Sequence, residues 1–157
     1  MIEVKFYDYV EDSLLRFAVI VAKYKGKWVV CKHKERDTYE IAGGHREENE
    51  SIVETAKREL YEETGACEYD LKPVSVYSVT GRNRVNSSGE ETYGMLYYAD
   101  IKTIEELPDS EIEKVYLFER LPTEWTYPLI QPDLINKVEK LIFKNDTITN
   151  INNKVQL

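Results

Sequence analysis

Only two cysteines, Cys31 and Cys67, occur among the 157 residues. Two thiols make no disulfide framework, and a chain of this length buries enough surface to fold without one, so both are expected to be reduced. Long apolar runs are missing as well. The longest, Phe17–Ala22, falls far short of the ~20 residues that span a bilayer. The opening Met1-Ile2-Glu3-Val4-Lys5 mixes charges and has none of the apolar core of a secretory signal. Positive charge is in deficit: 21 Lys and Arg stand against 29 Asp and Glu, a net charge of −8. That balance argues against general affinity for nucleic acid polymers or anionic membranes. It leaves a phosphate-bearing small molecule open, because a bound divalent cation reverses the local field. A cytoplasmic location is the default expectation.

What is present is a clear succession of elements. Phe6–Tyr9 reads as a short strand and Leu14–Lys23 as a buried one. Tyr24-Lys25-Gly26-Lys27 reads as a tight turn, leading into Trp28–Lys32 as the second arm of a hairpin. Tyr39–Ala42 is a short extended run ending in Gly43-Gly44. Ser51-Ile52-Val53-Glu54 has the pattern of a capping box, and Gly65 stands where a helix should stop, so a helix is predicted over Ser51–Thr64. Its expected buried stripe is Ile52, Val53, Ala56 and Leu60. Leu71–Thr80, Tyr93–Ile101 and Glu113–Phe118 read as strands, with a polar loop over Gly81–Thr92. Pro132 opens a second helix whose apolar face is Leu134, Ile135, Val138, Leu141 and Ile142. One domain over 1–143 is expected, followed by a polar, Asn-rich tail over 144–157 that should be flexible. Strands and helices without strict alternation point to a mixed α/β fold, a mixed sheet packed between helices.

The chemistry concentrates on the first helix. Glu59, Glu62 and Glu63 are related by i+3 and i+4, so they share a face. Three like charges there repel, and they sit in the last turns, where the helix dipole disfavours negative charge. Folding gives no reason for the arrangement; a divalent cation does, because Mg²⁺ takes hard oxygen ligands and shares them with substrate phosphates. A solvated Glu-rich helix face is the plain alternative.

The wider spacing decides between them. Gly44, five residues, Glu50, seven residues, then Arg58-Glu59-Leu60-Tyr61-Glu62-Glu63-Thr64-Gly65-Ala66 resembles the complete Nudix box, GX5EX7REUXEEXGU, with Ala66 a weak choice for the last aliphatic position. The resemblance implies an α/β/α sandwich and hydrolysis of a nucleoside diphosphate linked to another moiety, with Mg²⁺ or Mn²⁺ as cofactor. It implies Glu59, Glu62, Glu63 and the Gly44 carbonyl as metal ligands, with Glu59 acting as ligand or as base depending on the member, Glu50 as a structural or assisting acid, and Arg58 as the residue that orients the carboxylates. The family's general base often lies outside the box, and Glu111, Glu113, Glu90 and Glu91 are the candidates here. A homodimer is compatible with the resemblance.

Substrate readings are thinner. Arg82 and Arg84 are candidate phosphate contacts, against a solvated loop. Trp125 and Tyr127 either stack a base or pack the second helix on the sheet. His45 and His33 read as solvated or structural, and no Cys/His spacing suggests zinc. The downstream Pro of ADP-ribose pyrophosphatases is replaced by Gly81, and Arg84 stands near the Tyr of dinucleoside polyphosphate hydrolases. These departures favour a nucleoside triphosphate pyrophosphohydrolase, of the kind that also takes oxidised dGTP. The Thr126–Leu134 segment is similar to such a bacterial branch. The alternatives are an ADP-ribose or dinucleoside polyphosphate pyrophosphatase and a non-catalytic nucleotide-binding regulator. Upstream, Ile41-Ala42-Gly43-Gly44 lacks the Pro common in the family, which frees φ at that turn.

Overall fold

A computed structural model describes residues 1–143; the predicted tail lies outside the described residues. The strands are β1 (Glu3–Tyr7), β2 (Leu15–Tyr24), β3 (Lys27–His33), β4 (Tyr39–Glu40), β5 (Ala42–His45), β6 (Ala66–Thr80), β7 (Thr92–Ile104) and β8 (Ile112–Phe118). Helix α1 spans Ile52–Thr64, and α2 spans Gln131–Val138 before widening into a π-helical turn over Glu139–Phe143. The strands form one mixed sheet in the order β1-β6-β7-β2-β3-β4, with β5 paired to β2 and β8 to β3. The β2–β7 pair is parallel, and the other pairs are antiparallel. The fold is an α/β sandwich of the expected class.

Side chains along β2 alternate between the two layers, which is why its central run, Phe17–Ala22, is apolar. Ala18, Ile20 and Ala22 face α1, while Val21 and the half-buried Val19 face α2. The α1 layer is built largely of small residues: Ala18, Ala22, Ala42, Ala56, Ala66 and Ala99 are all buried there. Small residues let the helix approach β2 and β5 closely, and that closeness places its carboxylates against the Gly43-Gly44 backbone. A Cβ on Gly43 would lie 2.7 Å from the carbonyl oxygen of Ala18, so only Gly fits. The α2 layer uses bulk instead, with Val21, Trp28, Tyr77, Leu96, Leu134, Ile135 and Val138 buried.

Several sequence expectations need correction. Val53 is exposed, and Thr55 and Thr64 take the inner positions with Ala56 and Leu60. Thr55 is tolerated because its hydroxyl donates to Glu50, and Thr64 because its hydroxyl donates to the Leu60 carbonyl. Leu141 is also exposed, since it falls in the widened turn, where the α-helical period no longer holds. Strand β6 begins directly after Gly65, earlier than its apolar pattern suggests: the polar Cys67-Glu68-Tyr69-Asp70 stretch is held by backbone pairing with β7. The run over Tyr39–Ala42 divides into β4 and β5, and Gly43 and Gly44 are themselves strand residues paired with Val19 and Ala18.

Candidate active site

Helix α1 starts and stops as its sequence requires. Ser51 Oγ accepts the Glu54 amide at 3.2 Å, and Glu54 accepts the Ser51 amide at 3.0 Å. Gly65 closes the helix at φ 78° and donates to the Tyr61 carbonyl at 2.9 Å. The caps fix which residues face inward, and therefore which carboxylates meet the Gly43-Gly44 strand.

Arg58 is the hub of the acidic face. Its Nε and Nη2 donate to the two oxygens of Glu50 at 2.7 and 3.1 Å. Nη1 donates to Glu59 at 2.8 Å and to Glu62 at 3.3 Å. Nη2 also reaches the His45 carbonyl at 2.9 Å, tying the helix to the end of β5. The fork grips Glu50 bidentately, a geometry Lys cannot reproduce. Arg58 first, then hydrogen bonds from Thr55 and the Glu47 amide, hold the Glu50 carboxyl down at about 2 against the burial that opposes them.

Glu59 and Glu63 shift in the opposite direction. Glu63 accepts the Gly43 amide at 2.8 Å. Burial pushes its carboxyl up to about 8; the Gly43 bond opposes this, and Glu59, Glu40 and Glu62 add to it. Burial likewise raises Glu59 above the usual range, with Arg58 opposing. A Cβ on Gly44 would stand 2.3 Å from Glu59 Oε1, so the glycine lets this carboxylate rest on the strand backbone. Carboxylates of raised pKa beside a cleft make the acidic face a candidate functional site.

The donor set suits a divalent cation in kind: three carboxylates on one helix face beside a backbone carbonyl, all hard oxygens. Among the described residues no three His, Cys, Asp or Glu side chains converge into a ready metal cluster. Glu59 and Glu62 are instead drawn to Arg58, and Glu63 to the Gly43 amide. Glu59, Glu62 and Glu63 are the side chains that would hold such an ion, and they would have to turn towards one another to do so.

A cleft partly open to solvent begins at Gly43 and Gly44. Phe17, Val19, Val79, Ile130 and Leu134 supply apolar walls, and Glu40, Tyr77, Asn83, Asn86, Tyr127 and Gln131 supply polar groups. His45 is exposed at its edge, its ring 4.4 Å from Phe17. Glu40 is held by Arg36 at 2.7 Å and by the Thr126 hydroxyl at 3.1 Å. These bonds fix the 124–127 segment, which runs beside β4, as one wall.

Candidates outside the box are scattered. Trp125 packs into the α2-side core and is not part of the cleft lining, whereas Tyr127 is. Glu111 and Glu113 lie along the β3–β8 edge, paired with His33 and Lys32, and neither lines the cleft. Arg82 and Arg84 are exposed on the 81–90 loop. Arg84, like Arg36, is near enough to draw the Tyr127 phenol down against the burial that raises it. Glu90 is exposed. Glu91 accepts hydroxyls from Tyr7 at 2.7 Å, Ser78 at 2.7 Å and Tyr93 at 2.9 Å, joining β1, β6 and β7. A carboxylate so saturated is a structural clamp.

That clamp has a measurable pH signature. Tyr7 first, then Ser78 and Tyr93, hold the folded Glu91 carboxyl below its ordinary value. Its stabilisation is therefore complete above the unfolded carboxylate range and is lost as pH falls through that range towards the folded value. Wild type should lose Tm more steeply than Glu91→Gln between pH 5.5 and 3.5, as followed by thermal melts. Parallel curves would assign the clamp no role.

The cleft-lining residues Glu40, Tyr77, Gln131 and the two loop Asn are absent from the sequence reading. No spacing connects them, because they come from segments that only the fold brings together.

The site is thus a carboxylate-bearing helix laid on a Gly-Gly strand beside a partly open cleft. The NUDIX domain family matches residues 13–136, and the chain belongs to that family. A Bacillus subtilis (strain 168) protein named "Putative 8-oxo-dGTP diphosphatase YtkD" is 36% identical over 104 residues, covering 66% of this chain and 61% of that protein. The match thus spans less than two-thirds of that relative. The crystal structure of the Bacillus subtilis pyrophosphohydrolase BsRppH superposes with a TM-score of 0.72 at 26% identity, covering 88% of this chain and 90% of that one. A UDP-X diphosphatase structure gives a TM-score of 0.67 at 17% identity, covering 88% and 66%, a likeness of fold alone. Among the described residues no helix is long and apolar enough to cross a membrane.

Proposed function

We propose that this enzyme hydrolyses nucleoside triphosphates, oxidised dGTP among them, to the monophosphate and pyrophosphate. One observation carries the reading. The cleft opens directly on Gly43 and Gly44, the strand against which Glu59 and Glu63 are held. A base in the cleft leaves its phosphates over the acidic helix. Glu59, Glu62, Glu63 and the Gly44 carbonyl are the residues to hold Mg²⁺ or Mn²⁺. Such an ion neutralises phosphate charge and lowers the pKa of attacking water. Arg58 keeps the carboxylates in place between turnovers, and the cleft walls hold the nucleotide in line for attack, so positioning supplies much of the rate. The full set of box carboxylates weighs against a regulator that merely binds nucleotide.

Purified protein assayed with Mg²⁺ and with Mn²⁺ against the common nucleoside triphosphates, oxidised dGTP, ADP-ribose and diadenosine polyphosphates tests this reading. Pyrophosphate release with the highest kcat/KM on a triphosphate is expected. A higher kcat/KM on ADP-ribose or a dinucleotide would transfer the assignment to that class, and inactivity on all of them would overturn it.

A further inference from the structure

Three cleft residues are polar and at least nine-tenths buried: Tyr77 at 4% exposure, and Asn86 and Gln131 at 7% each. Asn86 is spent on its own loop, donating to the Glu90 carbonyl and accepting from Ser88 and Gly89. Gln131 is half spent. Its Oε1 accepts the Ile41 amide at 3.1 Å, which orients the side chain and leaves the Nε2 donors without a partner among the described residues. Tyr77 is not spent at all, since its hydroxyl makes no hydrogen bond among the described residues. Neither atom is sealed in the interior, because no buried polar side-chain atom lacks a partner. Both therefore reach the surface of the cleft.

The position of Tyr77 depends on a glycine. Tyr77 of β6 pairs with Gly94 of β7, and Gly94 pairs in turn with Phe17 of β2. A Cβ on Gly94 would lie 2.6 Å from the Tyr77 hydroxyl and ring carbon Cζ. The missing side chain lets the phenol lie across β7 towards Phe17, on the floor of the cleft. The hydroxyl touches the cleft surface with no protein partner among the described residues, so it is placed to bond a ligand there. Burial also keeps the phenol protonated and able to donate.

We propose that Tyr77 is a specificity-determining residue whose hydroxyl donates to a carbonyl oxygen on the base of the bound nucleotide, selecting oxo-purines over amino-purines. The direction of selection follows from a second group lining the same cleft. Gln131 offers the cleft its Nε2 donors, because its carbonyl is turned to the Ile41 amide. A base edge that presents acceptors takes donors from both groups, whereas an amino group can donate only to the hydroxyl oxygen and leaves the Gln131 N–H groups unmatched. The proposal rests on the nucleotide reading of the cleft, and it is tested by binding rather than turnover.

Wild type and Tyr77→Phe are titrated calorimetrically with GMP, IMP and AMP, without added metal. Wild type should bind GMP and IMP more tightly than AMP. Tyr77→Phe should lose about 3- to 10-fold for both oxo-purines, the worth of one neutral hydrogen bond, and keep its AMP affinity. Gly94→Ala, which pushes the phenol aside, should reproduce the loss, and Tyr77→Phe stands alone where Gly94→Ala does not fold. Equal loss for AMP, unchanged GMP and IMP binding, or wild type binding none of the three or preferring AMP overturns the assignment. If the binding pattern holds while no triphosphate is hydrolysed, Tyr77 recognition stands and the catalytic reading fails.

Discussion

Glu63→Gln should lower kcat by about 10²–10³-fold, since a bound metal supplies several kcal/mol of transition-state stabilisation and each 1.36 kcal/mol is a factor of ten. It should do so without harming the fold. Glu63 is buried beside Glu59, Glu40 and Glu62, all of which disfavour its charge, and a neutral amide of the same shape removes that repulsion while leaving an oxygen for the Gly43 amide. The metal-free variant should therefore melt no lower than wild type. Wild type should gain Tm on adding Mg²⁺ or Mn²⁺ by mass action, with about 2.7 kcal/mol available at a hundredfold excess over Kd, and the variant should gain much less. Loss of activity joined to undiminished stability separates a ligand from a structural acid. A variant with wild-type kcat would remove the acidic helix from the chemistry.

Arg58→Ala should fail in the opposite manner, through stability. Arg58 satisfies both oxygens of Glu50 and also holds Glu59, Glu62 and the His45 carbonyl. Its side chain is 23% exposed and that of Glu50 12%, so the pair is shielded without being fully buried. Removing one partner of a fully buried pair costs 3–5 kcal/mol. Solvent access reduces this to about 2–3 kcal/mol here. At about 2–4 °C per kcal/mol for a chain of this size, Tm should fall by roughly 5–10 °C. Arg58→Lys should recover part of it, since a point charge cannot span both oxygens of Glu50. Because β5 and α1 are joined through this residue, kcat should fall in Arg58→Ala as well. A melting temperature within 2 °C of wild type, on the same scale of degrees per kcal/mol, would show that the fork is not what holds the acidic face together.

The two variants mark a division of labour within the box. Glu50 is held down at about 2 and Glu63 is pushed up to about 8, although both are Glu in one short stretch of chain. The difference comes from their partners. Glu50 meets a guanidinium, a hydroxyl and an amide; Glu63 meets one amide, burial and other carboxylates. Residue type alone does not distinguish them.

The sequence by itself determined the catalytic helix. Its Ser51 and Glu54 cap, its Gly65 stop, and the shared face of Glu59, Glu62 and Glu63 follow from 3.6-residue geometry, which acts over a few residues and is legible wherever spacing is. The strands of the core were legible for the same reason, as alternation or apolar runs. Only the tertiary structure decided the cleft. Tyr77, Glu40, Tyr127 and Gln131 come from separate segments and share a cavity only after β6 is registered against β7 and α2 has docked. It also decided that Trp125 packs inward while Tyr127, two residues on, faces the cleft, and that Glu91 is bound up by three hydroxyls. Which way a loop side chain points depends on its docked neighbours, and local spacing carries no record of them.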